Sequence, residues 1–293
     1  ATVTFVDIAG LVAGASKGEG LGNKFLANIR QCDAIVHIVR TFVNNDIVHV
    51  SNEVNPKNDI EVINTELILA DIQTIENRLP KLQKEAKAKP ALRKQAEYLN
   101  KLLEQLQSGN VLSSIKDLDL EVIADLHLLT AKPVIYAFNV DENTLVDDVK
   151  KSELAKMVLP AKSIFVCAKL EEELKGLDEN DAKDLLESYG VKETGLNQMI
   201  HAAYDTLGLQ SYMTAGPKEV HAWTIKKGWT APQAAGVIHT DFERGFIAAQ
   251  VVDYNDLVEC GSELEAKNHG KIRTEGKDYV MSPNDVVEFR FNV

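Results

Sequence analysis

The first part of the chain alternates short apolar runs with glycine-rich or polar segments. Residues 1–6 and 34–39 have the pattern of strands, residues 14–22 form a glycine-rich loop, and residues 23–31 have the pattern of a helix. Strands that alternate with helices indicate an α/β domain with a parallel sheet. Because residues 1–6 would open this sheet as an unpaired edge, we expect further strands of the domain upstream.

The middle of the chain changes to helical spacing. Between residues 59 and 129, apolar residues such as Ile60 and Ile63 recur every three or four positions. This period predicts a helical hairpin, which bends near residues 89–90 and ends near residues 109–110, where proline and glycine interrupt it. The hairpin is therefore expected to be an insert in the α/β domain.

The strand pattern returns after the hairpin. Strands are predicted at residues 133–138 and 164–168, a helix at residues 197–207, and short strands at residues 219–225, 245–251, 277–280 and 286–291. We expect a nucleotide-binding α/β domain of residues 1–58 and 130–207 with part of a doubly wound sheet, a helical insert of residues 59–129, and a small β domain of residues 208–293.

Composition and charge narrow the classes of function. The net charge of −12 argues against a protein that covers nucleic acid with its whole surface. Cys32, Cys167 and Cys260 are far apart and form no zinc or disulfide pattern, so a cytoplasmic location is the default expectation. No apolar run reaches the roughly 18 residues that a membrane-spanning helix needs, so no membrane partner is expected.

Three loops that follow predicted strands carry residues suited to a nucleotide. The segment Asp7-Ile8-Ala9-Gly10 is a DxxG element. In P-loop hydrolases, the acidic residue of such an element holds Mg²⁺, usually through water, and the glycine amide meets the terminal phosphate. The candidate nucleotide-binding residues are Asp7, Gly10, Asn139, Val140, Glu142, Cys167 and Ala168, and Asp7 is also the candidate Mg²⁺ ligand. Because parallel strands end at one edge of the sheet, these loops predict one site. The alternative is that the polar residues only cap strands and turns.

Two long segments resemble one family. Residues 7–26, DIAGLVAGASKGEGLGNKFL, are very similar to the switch II segment of the YchF/Obg-like ATPases, which are P-loop nucleotide hydrolases that associate with ribosomes. Residues 230–247 and 276–279 resemble the TGS domain of that family, a β-grasp module. The resemblance implies a Mg²⁺-dependent molecular switch that binds ribosomes and slowly hydrolyses ATP to ADP.

Family membership also implies a phosphate-binding loop, GxxxxGK[ST], upstream of the DxxG element, and the sequence contains none. Only three residues separate Gly18 from Gly22, whereas the motif has four, and Phe25 stands where the Mg²⁺-binding hydroxyl belongs. We interpret residues 14–24 as a switch loop that opens a helix. Without a phosphate-binding loop, the chain as written is expected to be inactive.

The resemblance nominates His49 as a catalytic residue. Leu11 follows the DxxG element where many GTPases have a glutamine that orients the attacking water, and leucine cannot hydrogen-bond water. A neutral imidazole from the loop of His49 is able to orient water or accept its proton. A histidine packed at the edge of a strand is the alternative.

The segment Asn139-Val140-Asp141-Glu142 bears on the choice of base. Guanine-specific enzymes use NKxD, in which the aspartate accepts two hydrogen bonds from guanine. Glu142 is one methylene longer than that aspartate, and Val140 replaces the lysine. The resemblance therefore favours ATP, with Asn139 reading the base. GTP stays open, because a shift of one residue would bring Asp141 to guanine.

The helical insert carries the signal for an RNA partner. Eight basic residues stand against two acidic ones between positions 78 and 101: Arg78, Lys81, Lys84, Lys87, Lys89, Arg93, Lys94 and Lys101. Contact of the hairpin with ribosomal RNA would explain this excess. The resemblance implies a further ribosome contact through the TGS domain. The alternative is that these basic residues only form a solvent-exposed helix surface. A nucleotide-independent ribosome or RNA adaptor is a further possibility.

Overall fold

A computed structural model describes residues 2–8, 21–44, 53–216 and 219–292. The chain divides into two compact units. One comprises Phe5–Thr206, and the other comprises Leu207–Val293 together with Ala1–Thr4.

A three-stranded parallel sheet lies at the centre of the first unit. Its strands are β1 (Ile35–Arg40), β2 (Val134–Asn139) and β3 (Lys162–Val166), in the order β1-β2-β3. β2 is a nearly continuous apolar run and is buried along most of its length, as expected for the middle strand of a parallel sheet. The α/β class and the parallel sheet are therefore confirmed.

Helices connect and cover these strands. They are α1 (Leu21–Gln31), α4 (Glu142–Leu145), α5 (Asp148–Lys156), α6 (Ala168–Leu174), α7 (Glu179–Ser188) and α8 (Gly195–Thr206). Aspartates at the N-caps of α4, α5 and α7 accept hydrogen bonds from the exposed amides of the first turn. At Gly195, a Cβ atom would lie 2.5 Å from Cγ1 of Val166, so glycine allows α8 to approach β3.

The predicted hairpin consists of α2 (Pro56–Ala88) and α3 (Leu92–Gln107). Two short 3₁₀ helices, Leu112–Ser114 and Ala124–Leu126, lie on the way back to the sheet. The facing sides of α2 and α3 form an apolar core of their own, which includes Ile75, Leu82 and Leu99. The apolar residues of this core recur every three or four positions along α2 and α3, as the sequence analysis predicted for a helical hairpin.

Asp71 joins the hairpin to the segment that leads into β2. Its side chain is fully buried and accepts hydrogen bonds from the amides of Leu129 at 2.8 Å and Thr130 at 2.7 Å, and from the Thr130 hydroxyl at 2.7 Å. Burial raises the pKa of Asp71, although the three donors oppose this effect. The carboxylate thus satisfies backbone amides where the chain leaves the insert.

The second unit contains a mixed sheet of five strands. The strands are β4 (Leu209–Ala215), β5 (Val220–Lys226), β6 (Phe246–Asp253), β7 (Arg273–Glu275) and β8 (Asp285–Phe291), in the order β5-β4-β8-β6-β7. The helices are α9 (Ala231–Ile238), α10 (Thr240–Arg244), α11 (Tyr254–Cys260) and α12 (Glu263–Asn268). β4 and β8 run parallel, whereas the other pairs are antiparallel. Such a sheet is consistent with the expected β-grasp class.

The structure corrects several predicted elements. Residues 2–6 form no strand, because β propensity without a ladder partner does not make a strand, and no described residue pairs with them. Only Val280 of residues 277–280 forms a bridge, to Thr230. The hairpin begins at Pro56 rather than at residue 59. The sequence analysis did not identify β4, β7 or the helices α4 to α7.

Candidate functional site

The carboxyl ends of β2 and β3 carry the residues expected to read a base. Asn139 ends β2, and its Oδ1 accepts a hydrogen bond of 3.2 Å from the amide of Ala168, the first residue of α6. The amide of Val140 donates to the carbonyl of Val166 at 2.9 Å. The two loops are therefore joined directly, as the sequence analysis expected from two neighbouring parallel strands.

Thr41, which follows β1, also contacts this edge. Its backbone amide and its hydroxyl both donate to the carbonyl oxygen of Asn139, each at 3.0 Å. These bonds hold the backbone of Asn139 from the side of β1, while Ala168 contacts its side chain from the side of β3. The position of Asn139 is thus set by both neighbouring strands.

An ion pair links the same two loops. Nζ of Lys169 lies 2.5 Å from Oε1 of Glu142. This hydrogen bond holds the pKa of the Glu142 carboxyl below its ordinary value and raises the pKa of Lys169. Glu142 is therefore ionised at neutral pH, and one of its oxygens is already engaged.

Asp141 is occupied as the N-cap of α4. Its Oδ1 accepts a hydrogen bond of 2.8 Å from the amide of Thr144. Hydrogen bonds from the Thr144 hydroxyl and amide lower the pKa of Asp141. A shift that brought Asp141 to a base would break this cap, which stabilises a helix by about 1 kcal/mol.

Two of the candidate residues contribute to the core. Val140 and Cys167 are 1% and 3% exposed and belong to the cluster that surrounds Phe138. Their side chains are therefore not available to a ligand, and any contact from these positions would use the backbone. Asn139 and Glu142 are half-buried, and Ala168 is exposed.

Asp7 is exposed and lies in a segment without regular secondary structure. Among the described residues it has no hydrogen-bond or ion-pair partner, so the structure does not join it to the Asn139 loop. The next residue, Ile8, packs against the cluster of Leu26 and Leu67 from α1 and α2. Gly10, Leu11 and His49 lie outside the described residues.

No group of three or more metal-ligating side chains occurs within the ranges that the structure describes. A nucleotide-bound Mg²⁺ needs only one or two carboxylates besides phosphate oxygens and water. The exposed carboxylate of Asp7, which has no partner among the residues that the structure describes, offers this kind of donor. The side chain therefore fits the role expected for it, and no cluster is needed.

The basic residues of the hairpin form what we call the cationic hairpin surface: Arg78, Lys81, Lys84, Lys87, Lys89, Arg93, Lys94 and Lys101. All are exposed except Arg78, which is half-buried and lies 3.5 Å from Glu85. The others form no ion pair with any described residue. Their charges therefore face solvent and are available to a polyanion.

Sequence reasoning missed the roles of Lys169 and Thr41. Lys169 directly follows the candidate residues Cys167 and Ala168, but its pairing with Glu142 joins residues far apart in the chain. The contact of Thr41 with Asn139 spans a still longer separation along the chain.

In the described part of the chain, no helix is long and apolar enough to cross a membrane.

Comparisons with family models match both ends of the chain. Residues 1–67 match the model MMR_HSR1, described as 50S ribosome-binding GTPase. Residues 209–292 match the model YchF-GTPase_C, described as a protein of unknown function.

Similar proteins match almost the whole chain. The ribosome-binding ATPase YchF of Bacillus subtilis is 49% identical over 99% of this chain and 81% of its own length. The protein of the same name from Escherichia coli O157:H7 is 48% identical over 100% of this chain and 82% of its length. The structure of the Schizosaccharomyces pombe YchF GTPase has a TM-score of 0.79 at 34% identity, over 93% of this chain and 76% of that chain.

Proposed function

Since the chain belongs to the YchF family, we propose that it is a ribosome-binding nucleoside triphosphatase that hydrolyses ATP and acts as a molecular switch. The observation that carries this proposal is the linked pair of loops at the ends of β2 and β3, where Ala168 holds the side chain of Asn139. Relatives that share almost half of their residues with this chain are named ribosome-binding ATPases. The ribosome would then sense the nucleotide through the switch segments.

ATP is the nucleotide that we favour. A bidentate contact to guanine needs a carboxylate with two free oxygens, but Asp141 caps α4 and Glu142 pairs with Lys169. An amide such as that of Asn139 both donates and accepts, so it suits the amino group and ring nitrogen of adenine. Asn139 is accordingly the proposed base reader, with Ala168 supporting it.

GTP hydrolysis is the second candidate. One matched family model and the yeast structure are both named GTPases. A nucleotide-independent ribosome or RNA adaptor is the third candidate, and the charge of the hairpin is the observation that favours it.

Mg²⁺ is the proposed cofactor, and Asp7 is its proposed protein ligand, with the amide of Gly10 facing the terminal phosphate. The ion would neutralise charge on the phosphates during hydrolysis. We further propose His49 as the residue that orients the attacking water in place of the glutamine that Leu11 replaces. The switch loop of residues 14–24 would respond to the terminal phosphate.

The cationic hairpin surface is the proposed contact with ribosomal RNA. Its exposed lysines and arginines carry the charge that phosphate groups attract, in a chain whose net charge is −12. The second unit, Leu207–Val293, is the proposed TGS domain and a further ribosome contact. A ribosomal partner places the proposed site of action in the cytoplasm.

The variant N139A tests the nucleotide site. In the full-length polypeptide, we expect it to weaken ATP binding about tenfold or more, because the base loses its hydrogen-bonding partner. Isothermal titration with Mg²⁺-ATP and Mg²⁺-GTP provides the measurement.

The matched control is N100A, because the Asn100 side chain donates to the carbonyl of Ala96 within its own helix α3, in the hairpin. If the wild type binds neither nucleotide but still binds ribosomes, the chain is a nucleotide-independent adaptor and the proposed hydrolase function is wrong. If it prefers GTP, the second candidate is correct.

A further inference from the structure

The ion pair between Lys169 and Glu142 lies next to the residues proposed to read the base. Glu142 is the first residue of α4, three positions after Asn139, and Lys169 directly follows Ala168. Two contacts, Asn139 with Ala168 and Glu142 with Lys169, therefore cross between the same two loops. A base held at this edge would meet both contacts.

The state of the Glu142 carboxylate matters differently to the two bases. Guanine presents two donors, N1–H and the 2-amino group, and rewards a carboxylate that accepts with both oxygens. Adenine has a lone pair at N1, which a free carboxylate repels. The ammonium of Lys169 engages Oε1 of Glu142 and neutralises its charge.

On the premise of the proposed nucleotide site, we propose that Lys169 is a positioning residue that sets base preference. By holding Glu142, it withholds the two-oxygen acceptor that guanine requires and removes the repulsion that adenine N1 would meet. Lys169 acts through Glu142 and needs no contact with the nucleotide. The preference for ATP would therefore depend on an ion pair in addition to the direct reader.

The chain offers a close control for this pair at the opposite end of the same strand. Lys162, the first residue of β3, lies 2.5 Å from Oδ2 of Asp205. Its side chain is also partly exposed, at 42% against 69% for Lys169. Removal of either ammonium changes the net charge equally, but only Lys169 lies beside the carboxyl ends of the strands.

The experiment compares K169M, K169R, K162M, E142Q and the double variant E142Q/K169M with the wild type. Each is titrated as the full-length polypeptide with Mg²⁺-ATP and Mg²⁺-GTP by calorimetry. We expect K169M to shift the ratio of the two dissociation constants about two- to fivefold toward GTP, the scale that an exposed ion pair supports. K169R, which retains the pair, and K162M should keep the wild-type ratio. In the E142Q background, K169M should have no further effect on the ratio.

The inference is overturned if K169M weakens or strengthens both nucleotides equally, since the pair would then only stabilise the loops. It is also overturned if K162M shifts the ratio as much as K169M, or if K169M still shifts the ratio in the E142Q background. Wild-type protein that binds neither nucleotide would overturn the proposed function together with this inference. Wild-type ATP binding with an unchanged ratio in K169M would overturn this inference alone.

Discussion

His37, in β1, is a half-buried histidine that the proposed function does not use. Its ring lies 5.4 Å from that of Tyr136 on β2, centroid to centroid. Burial lowers the pKa of His37 to about 4, although the charge of Asp59 opposes this shift. The imidazole is therefore neutral at physiological pH and serves as a packing group.

The pKa of His37 predicts how stability depends on pH. Because the folded pKa of about 4 lies below the ordinary value of 6.5, the unfolded chain binds the proton more readily. The contribution of neutral His37 to the unfolding free energy is therefore complete above pH 6.5 and is lost as the pH falls toward 4. Relative to H37F, the wild type should lose about 3 kcal/mol of unfolding free energy between neutral pH and the folded pKa.

Urea denaturation followed by far-ultraviolet circular dichroism, at neutral and acid pH, measures this difference. H201Q is the control, since the side chain of His201 is 70% exposed. Equal acid sensitivity of H37F and the wild type would contradict the prediction.

At the scale of elements, the longest helix connects the sheet to the cationic hairpin surface. α2 has 33 residues and continues through Pro80. At 1.5 Å per residue it extends about 50 Å. Ile60, near its start, packs in the cluster of the sheet, whereas Leu82 packs against α3. One helix thus spans from the sheet to the charged part of the hairpin.

The cationic hairpin surface should make ribosome binding depend on salt. The triple variant K81Q/K84Q/K87Q removes three exposed charges from α2 without touching the apolar core. We expect about tenfold weaker ribosome binding at physiological salt, and a slope of log affinity against log salt that is smaller by about two. Sedimentation with purified ribosomes over a salt series measures both quantities.

The control for this series is K175Q/K183Q/K192Q, which changes the net charge equally outside the hairpin. Lys175 and Lys183 are exposed and pair with Glu172 and Glu187. If both triple variants lose the same affinity, the effect reflects net charge, and the hairpin is not the contact.

At the scale of the whole molecule, each unit has its own hydrophobic core. In the second unit, Tyr212 is fully buried, and its hydroxyl donates to the carbonyl of Ala234 at 2.9 Å. The cluster around it includes Phe246 and Val287 and contains residues of this unit alone. A core of this kind is the basis for independent folding.

We therefore predict that residues 207–293 fold alone. The fragment should unfold cooperatively in urea, as reported by the fluorescence of Trp223 and Trp229, which pack beside the core. Y212F should lower its unfolding free energy by about 1–2 kcal/mol, because a buried carbonyl loses its donor. A fragment without a cooperative transition would show that the unit needs the rest of the chain.

Much of the fold followed from local patterns, whereas the missed elements depend on distant partners. The sequence predicted β1 and β2 from their apolar runs, and α2 and α3 from the spacing of their apolar residues. Both patterns arise because one face of each element is buried. β4 was missed because Gln210 occupies a core-facing position, where its bond of 2.7 Å to the carbonyl of Met281 satisfies the buried amide. Residues 2–6 have strand-forming side chains but pair with no strand in the part of the chain that the structure describes.

For the candidate site, the sequence by itself determined which loops follow the strands and which residue types they carry. Both follow from the order of the residues and from the period of the apolar positions along the chain. Only the tertiary structure decided that Asn139 bonds to Ala168, that Asp141 caps its own helix, and that Glu142 pairs with Lys169. The reason is that polar side chains choose among partners by distance in space, and the approach of loops from separate strands leaves no periodic trace in the sequence.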